Sequence, residues 1–172
     1  AMGEWLQRGY HGQMKYMERN LDKRLDPTEL LPEARSVISV FVNYHQKTSQ
    51  PALDGVISKY ARSPDYHFIM KDILHELAGN LFGEKTQKLS RKQRARVYRI
   101  FVDSAPVMEK QWAIAAGIGW QGKHSNIISR DFGSWGFLGE IITTEDFDKY
   151  DSPVPDHCGT CSACIDACPT TA

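Results

Sequence analysis

All four cysteines of the chain fall between residues 158 and 168, in the order Cys158-Gly-Thr-Cys161-Ser-Ala-Cys164-Ile-Asp-Ala-Cys168-Pro169. No other feature constrains the chain as tightly, because this Cys-x2-Cys-x2-Cys-x3-Cys-Pro spacing is the one used by bacterial-type iron–sulfur proteins. Three thiolates two residues apart can wrap one face of a cubane cluster, while the fourth, followed by proline, turns away from them. A structural zinc site is the alternative, although it usually pairs two Cys-x2-Cys knuckles across a longer gap. A disulfide framework would need an oxidising compartment. The sequence holds no second run of this kind, so it supplies only part of a two-cluster ligand set.

The remainder has the make-up of an ordinary globular protein. Its 172 residues suit one medium domain with a small appendage. No apolar run reaches the roughly 18 residues that a membrane span requires. Lys and Arg total 21 against 21 Asp and Glu, so the overall charge does not single out a polyanionic partner. The charges are unevenly placed, however. Lys85, Lys88, Arg91, Lys92, Arg94, Arg96 and Arg99 occur without an intervening acid, whereas Glu145, Asp146, Asp148, Asp151 and Asp156 face only Lys149. The basic stretch could meet phosphate or could simply be a solvated face.

Hydrophobic periodicity sketches a mixed α/β pattern. A helix is expected from Trp5 to about Asn20, then a short one from Pro27 to about Ala34 with Asp26 as its N-cap. Ser36 to Tyr44 is apolar and β-branched and predicts a buried strand. Residues 46–53 contain Pro51 and are expected to form a loop. Ser63-Pro64-Asp65 leads into a helix whose apolar stripe is Phe68, Ile69, Ile73, Leu77 and Leu81, with Gly83 as its stop. A second strand is expected within residues 96–103, a helix from Pro106 to near Gly117, and a third strand from Trp135 to Thr143. An acidic linker, Asp148 to Asp156, then reaches the cysteines.

Three constellations outside the cysteines could carry chemistry. Asp103 lies where a buried strand meets a helix start, at the rim of a sheet where ligands commonly bind. Asp103 or Ser104 could equally be a helix cap. The loop from Gly117 to Asn126 offers three glycines for close backbone approach, with Trp120, Lys123 and Ser125 for stacking, charge and a hydroxyl. It matches neither a Walker A loop nor a dinucleotide fingerprint. Asp65, Tyr66 and His67 are adjacent at a helix start, where Asp65 could be only a cap and His67 only a structural hydrogen-bonder.

These stretches together resemble one family. The ordered segments are Gly9 to Met17, Tyr60 to His67, Val102 to Glu109, Gly119 to Lys123, Gly133 to Ile141 and the cysteine run with its preceding His157. They are similar to the epoxyqueuosine reductases, cobalamin-dependent iron–sulfur enzymes that complete queuosine in tRNA anticodon loops. The resemblance spans nearly the whole chain.

It implies an α/β (α+β) fold: a nitroreductase-like cobalamin-binding domain over residues 1–147, then a linker and the first half of a ferredoxin-like module over residues 148–172. Two 4Fe–4S clusters would pass electrons to cobalamin, with Cys158, Cys161, Cys164 and Cys168 as metal ligands. Asp103 would be the catalytic proton donor to the leaving oxygen, a role that burial against a bulky apolar ligand would favour. Tyr66, His67, Ser104, Trp120, Lys123, Ser125, Phe137 and Leu138 would line the corrin pocket. The implied partners are a tRNA anticodon loop carrying epoxyqueuosine and an electron donor such as a flavodoxin or ferredoxin. The family further implies a cytoplasmic, monomeric enzyme with no membrane association. Against the family, the chain is expected to be a fragment lacking an N-terminal segment, a second cysteine run and a helical-repeat domain. Two other readings remain: an iron–sulfur electron-transfer protein without a corrin, and a zinc-stabilised RNA-binding module.

Overall fold

Three apolar, β-branched runs become one antiparallel sheet. The structure, a computed structural model, describes residues 2–47 and 57–170. Its strands are β1 (Ser36–Asn43), β2 (Tyr98–Phe101), β3 (Trp120–Gln121), β4 (Ile127–Ile128) and β5 (Gly136–Thr143). Strand β5 is central, with β1 and β2 on either side. Its register runs from Ser36 opposite Thr143 to Asn43 opposite Gly136, and from Tyr98 opposite Thr143 to Phe101 opposite Glu140. Because side chains alternate across a strand, β5 feeds two cores. Phe137 and Ile141 join one, Ile142 the other.

The helices are α1 (Met2–Gln7), α2 (Leu21–Leu25), α3 (Tyr66–Thr86), α4 (Arg91–Arg94), α5 (Glu109–Ala115) and α6 (Ala163–Asp166). Helix α3 covers the first face, burying Met70, Leu74, Ala78 and Phe82 against Val102 and Ile141. The second face is closed by Leu30, Leu31 and Val107, with Trp112 of α5 packed against them. Each large apolar side chain so enclosed stabilises the fold by about 1.5–3 kcal/mol.

Several local expectations are corrected. The helix expected over residues 5–20 stops at Gln7, because Gly9, Gly12 and Asn20 take φ of 70°, 55° and 54°, a left-handed backbone that an α-helix cannot contain. The segment after Asp26 is a single 3-10 turn, Pro27–Glu29, although Asp26 does cap it by accepting from the Thr28 N–H at 2.8 Å. Helix α3 runs past Gly83 to Thr86, since an unstrained glycine weakens a helix without ending it. Its buried stripe is displaced from the expected one, leaving Phe68, Ile69 and Leu81 exposed. Helix α5 begins three residues after Pro106, and neither Asp103 nor Ser104 caps it. The expected loop over residues 46–53 lies largely outside the described residues. The basic stretch contains α4, held by a Ser90–Gln93 capping box. Among the described residues, no helix is long and apolar enough to cross a membrane.

Candidate active site

Strand β2 delivers Asp103 to the rim of the sheet. Val102 is buried beneath it, whereas the Asp103 side chain is 62% exposed. Asp103 takes φ of 53°, a left-handed conformation that Asp tolerates better than most residues. The turn aims its carboxylate toward the first turn of α3. There the Tyr66 hydroxyl donates to Asp103 Oδ2 at 2.7 Å. His67 Nε2 lies 3.6 Å from the same oxygen, a charge contact and not a hydrogen bond.

The start of α3 is built to hold these two rings. Asp65 caps the helix by accepting from the His67 backbone N–H at 2.9 Å. Its carboxylate also lies 2.7 Å from His67 Nδ1, turning Nε2 toward Asp103. These bonds from His67 lower the Asp65 pKa. Tyr66 is stacked between Phe137, at 4.1 Å and 4° between planes, and His67, at 4.2 Å. Burial, followed by the bond to the Asp103 carboxylate, drives the Tyr66 pKa far upward. Its hydroxyl is therefore a neutral donor at any ordinary pH.

Two carboxyls that sequence reasoning missed lie behind Asp103. Glu109, in the first turn of α5, accepts the backbone N–H of Asp103. Its pKa is pushed up to about 7, chiefly by burial and further by the Asp103 charge, which together outweigh the bond from the Asp103 N–H. Glu140 is fully buried on β5, with Ser39 Oγ 3.4 Å from Oε1 and, among the described residues, no partner for Oε2. Burial and then the Glu109 charge push its pKa up to about 9. A single acid inside the apolar run Phe137 to Thr143 was the available signal for Glu140. Nothing local marked Glu109.

A second cluster joins the glycine loop to the cysteines. Strands β3 and β4 pair as a hairpin that begins in that loop and ends just beyond it. From its turn, Lys123 Nζ donates to the carbonyls of Gly159 and Cys161, both at 2.8 Å. The Trp120 ring meets His157 edge-on at 5.0 Å. Lys123 and Trp120 are thus placed against the cysteine loop and not beside Asp103. Ser125 lies in the same turn with φ of 66°, its carbonyl accepting from Lys110 at 2.9 Å. Ser104 is exposed, its hydroxyl donating to the Val102 carbonyl at 3.2 Å. Leu138 points to the opposite face of β5 from Phe137. Of the expected pocket residues, the structure gathers Tyr66, His67 and Phe137 around Asp103.

The cysteine loop is held by backbone bonds and by α6. Cys158 N–H donates to Asp156 Oδ1 at 2.7 Å, and Cys161 N–H to the Cys158 carbonyl at 3.0 Å. Cys168 Sγ lies 3.3 Å from Thr170 Oγ1. Among the described residues no three Cys, His, Asp or Glu side chains converge as a metal-ion site. The Ser162 hydroxyl donates to Asp166 at 2.8 Å across α6. The chemistry of four closely spaced thiols nevertheless suits iron–sulfur ligation. Beside Asp103 opens a groove of about 620 Å³ bordered by Arg19, Arg24, Met108 and Gln121. On the other side of Tyr66, Tyr44 and Phe137 border a pocket of about 170 Å³. Open grooves and aromatic faces of this kind suit a broad ring system.

A sequence model of the family described as "Epoxyqueuosine reductase QueG, DUF1730" matches residues 24–104. A curated epoxyqueuosine reductase of Leadbetterella byssophila is 49% identical over 168 residues, 98% of this chain and 53% of that protein. Over nearly its whole length the chain is similar to epoxyqueuosine reductases. It spans about half the length of the curated relatives it matches. Among solved structures, an epoxyqueuosine reductase from Streptococcus thermophilus is similar with a TM-score of 0.78 and 30% identity, over 98% of this chain and 46% of that one. Another, solved with a tRNA-Tyr epoxyqueuosine-modified stem loop, has a TM-score of 0.75 and 29% identity, over 90% of this chain and 40% of that one. The epoxyqueuosine reductase match over residues 24–104 includes Tyr66, His67 and Asp103. Glu109 and the cysteines lie beyond it.

Proposed function

We propose that this chain carries the catalytic part of an enzyme that reduces epoxyqueuosine to queuosine in the anticodon loop of tRNA. The observation that carries this reading is the Asp103 carboxylate, presented at the sheet rim, bonded by Tyr66 and flanked by His67. Similarity to curated epoxyqueuosine reductases and to a structure solved with an epoxyqueuosine-modified stem loop supports it.

The reaction needs two electrons and two protons for each epoxide. Both carbon–oxygen bonds break, a carbon–carbon double bond forms, and the oxygen leaves as water. Cobalamin reduced through 4Fe–4S clusters would supply the electrons when bound. Cys158, Cys161, Cys164 and Cys168 would ligate iron, and Tyr66, His67 and Phe137 beside Asp103 would lie against the corrin. Asp103 gives a proton to the departing oxygen, which otherwise leaves as a costly alkoxide. Tyr66 fixes the rotamer of that carboxyl through its hydroxyl. His67, oriented by Asp65, turns its Nε2 toward Asp103 and flanks that carboxyl. Lys123 and Trp120 hold the cysteine loop against the remainder of the chain. Residues 1–147 would form the cobalamin-binding domain and residues 148–172 the start of the cluster module. A flavodoxin or ferredoxin is the fitting electron donor for a monomeric cytoplasmic enzyme.

The test is Asp103→Asn in the intact protein, assayed on an anticodon stem loop bearing epoxyqueuosine. Turnover is expected to fall about 100- to 10,000-fold, with RNA affinity and cobalt content unchanged. Undiminished turnover overturns the assignment of Asp103.

A further inference from the structure

Glu109 takes no part in the proton transfer assigned above, yet it makes the closest polar contact to the Asp103 backbone. Its carboxylate accepts the Asp103 N–H from six residues further along the chain, closing residues 103–109 into a loop. Asp103 holds a φ of 53°. A non-glycine residue in that region needs an external tie to stay there, because its intrinsic preference lies elsewhere. No other bond to the Asp103 N–H is present among the described residues, and that of Ser104 is turned to the Val102 carbonyl at 2.5 Å.

The surroundings of Glu109 make this tie sensitive to its charge. From the loop it faces the Asp103 carboxylate, from α3 it feels His67, and from its own helix Lys110. From β5 comes Glu140, fully buried and influenced by the Glu109 charge. We propose that Glu109 is the positioning residue of Asp103, its carboxylate latching the 103–109 loop with Asp103 facing the reacting oxygen, and its protonation loosening that latch. A bond to a carboxylate is roughly twice as strong as one to a neutral carboxyl, so the proton weakens the tie without deleting it. Glu140, pushed up to about 9, keeps its proton at neutral pH. Glu109, pushed up to about 7, is the member of the pair that changes state there.

The link to catalysis rests on the proposed reductase reading, but the latch does not, and the two are separable. Hydrogen–deuterium exchange at residues 103–105 is measured on the intact protein at pH 6 and pH 8.5, each rate relative to the unfolded chain. Wild type is expected to show about tenfold greater protection at pH 8.5 than at pH 6. Glu109→Ala loses protection at both pH values, while Glu109→Gln keeps a weaker, pH-independent level. Amides of α3 report whether the Ala variant folds; if they too exchange freely, the Gln variant and the wild-type pH dependence decide. Protection unchanged in folded Glu109→Ala, or a wild-type pH dependence surviving in Glu109→Gln, overturns the latch. In turnover, Glu109→Ala lowers kcat about 10- to 100-fold with KM for the RNA unchanged, and Gln restores part of it. A wild-type protein that does not reduce epoxyqueuosine RNA overturns the reductase reading, while the exchange data still judge the latch.

Discussion

Tyr66 combines two functions that separate on substitution. Its ring lies flat on Phe137 and belongs to the core beneath α3. Its hydroxyl ends at Asp103. Tyr66→Phe keeps the stack and removes only the bond. Thermal unfolding is expected to change by less than about 1 kcal/mol, because the lost acceptor is solvent-exposed and water replaces the donor. Turnover is expected to fall about tenfold as Asp103 loses its fixed rotamer. Full activity in the folded variant would make the contact a bystander. At this scale the sequence was informative where contacts are made by neighbours: Asp65, Tyr66 and His67 are adjacent, and they touch one another. It was silent on Glu109, whose partner is a backbone N–H placed by a turn that no residue type dictates.

Among the elements, the β3–β4 hairpin carries the sharpest steric constraint. A Cβ built on Gly119 would lie 2.1 Å from the Ile128 carbonyl oxygen and 2.7 Å from its carbon. Both are backbone atoms and cannot swing aside. Gly119→Ala is therefore expected to pry β3 from β4 and to cost about 2–3 kcal/mol, lowering Tm by roughly 4–12 °C. Because Lys123 clamps the cysteine loop from this hairpin, limited proteolysis near residues 158–164 should accelerate in the same variant. An unchanged cleavage rate would disconnect hairpin from loop. The glycines of this loop were visible in the sequence as a close approach, but the approaching groups proved to be the chain's own: Ile128 of β4 at Gly119 and Gly122, and the Ser152 carbonyl at Gly117. Helix α3 shows the complementary limit. Its existence and its Asp65 cap were legible, yet its apolar residues nearly encircle it, so only packing on the sheet selected Met70, Leu74, Ala78 and Phe82 as the buried stripe.

For the whole molecule, the buried carboxyl of Glu140 ties stability to pH. Its folded pKa of about 9 exceeds the ordinary value of 4.5. Between these limits the folded chain holds a proton that the unfolded chain has released. Its stabilising contribution is thus complete below pH 4.5 and is lost as pH rises through 9. Glu109 acts with the same sign over a narrower window, from 4.5 to about 7. Glu140→Gln removes the larger dependence. Denaturant unfolding at pH 6 and pH 9 is expected to show a steep alkaline loss in wild type and a shallower one in the variant. The gain at pH 9 should be on the order of 1–3 kcal/mol. Equal slopes would mean that Glu140 is ionised in the fold.

The sequence by itself determined what depends on a few consecutive residues: the strand alternation of β1 and β5, the cap at Asp65, the spacing of the thiols and the resemblance they carry. The tertiary structure alone decided which distant groups meet. It paired Tyr66 with Asp103 across 37 residues and Lys123 with Cys161 across 38. It also folded Glu109 back onto the Asp103 backbone and left Glu140 dry beneath the sheet. Local patterns encode torsional preference and which face is apolar, over a range of one or two turns. The desolvation and charge coupling that give a carboxyl its chemistry arise only when separate elements pack, and no residue pattern records them in advance.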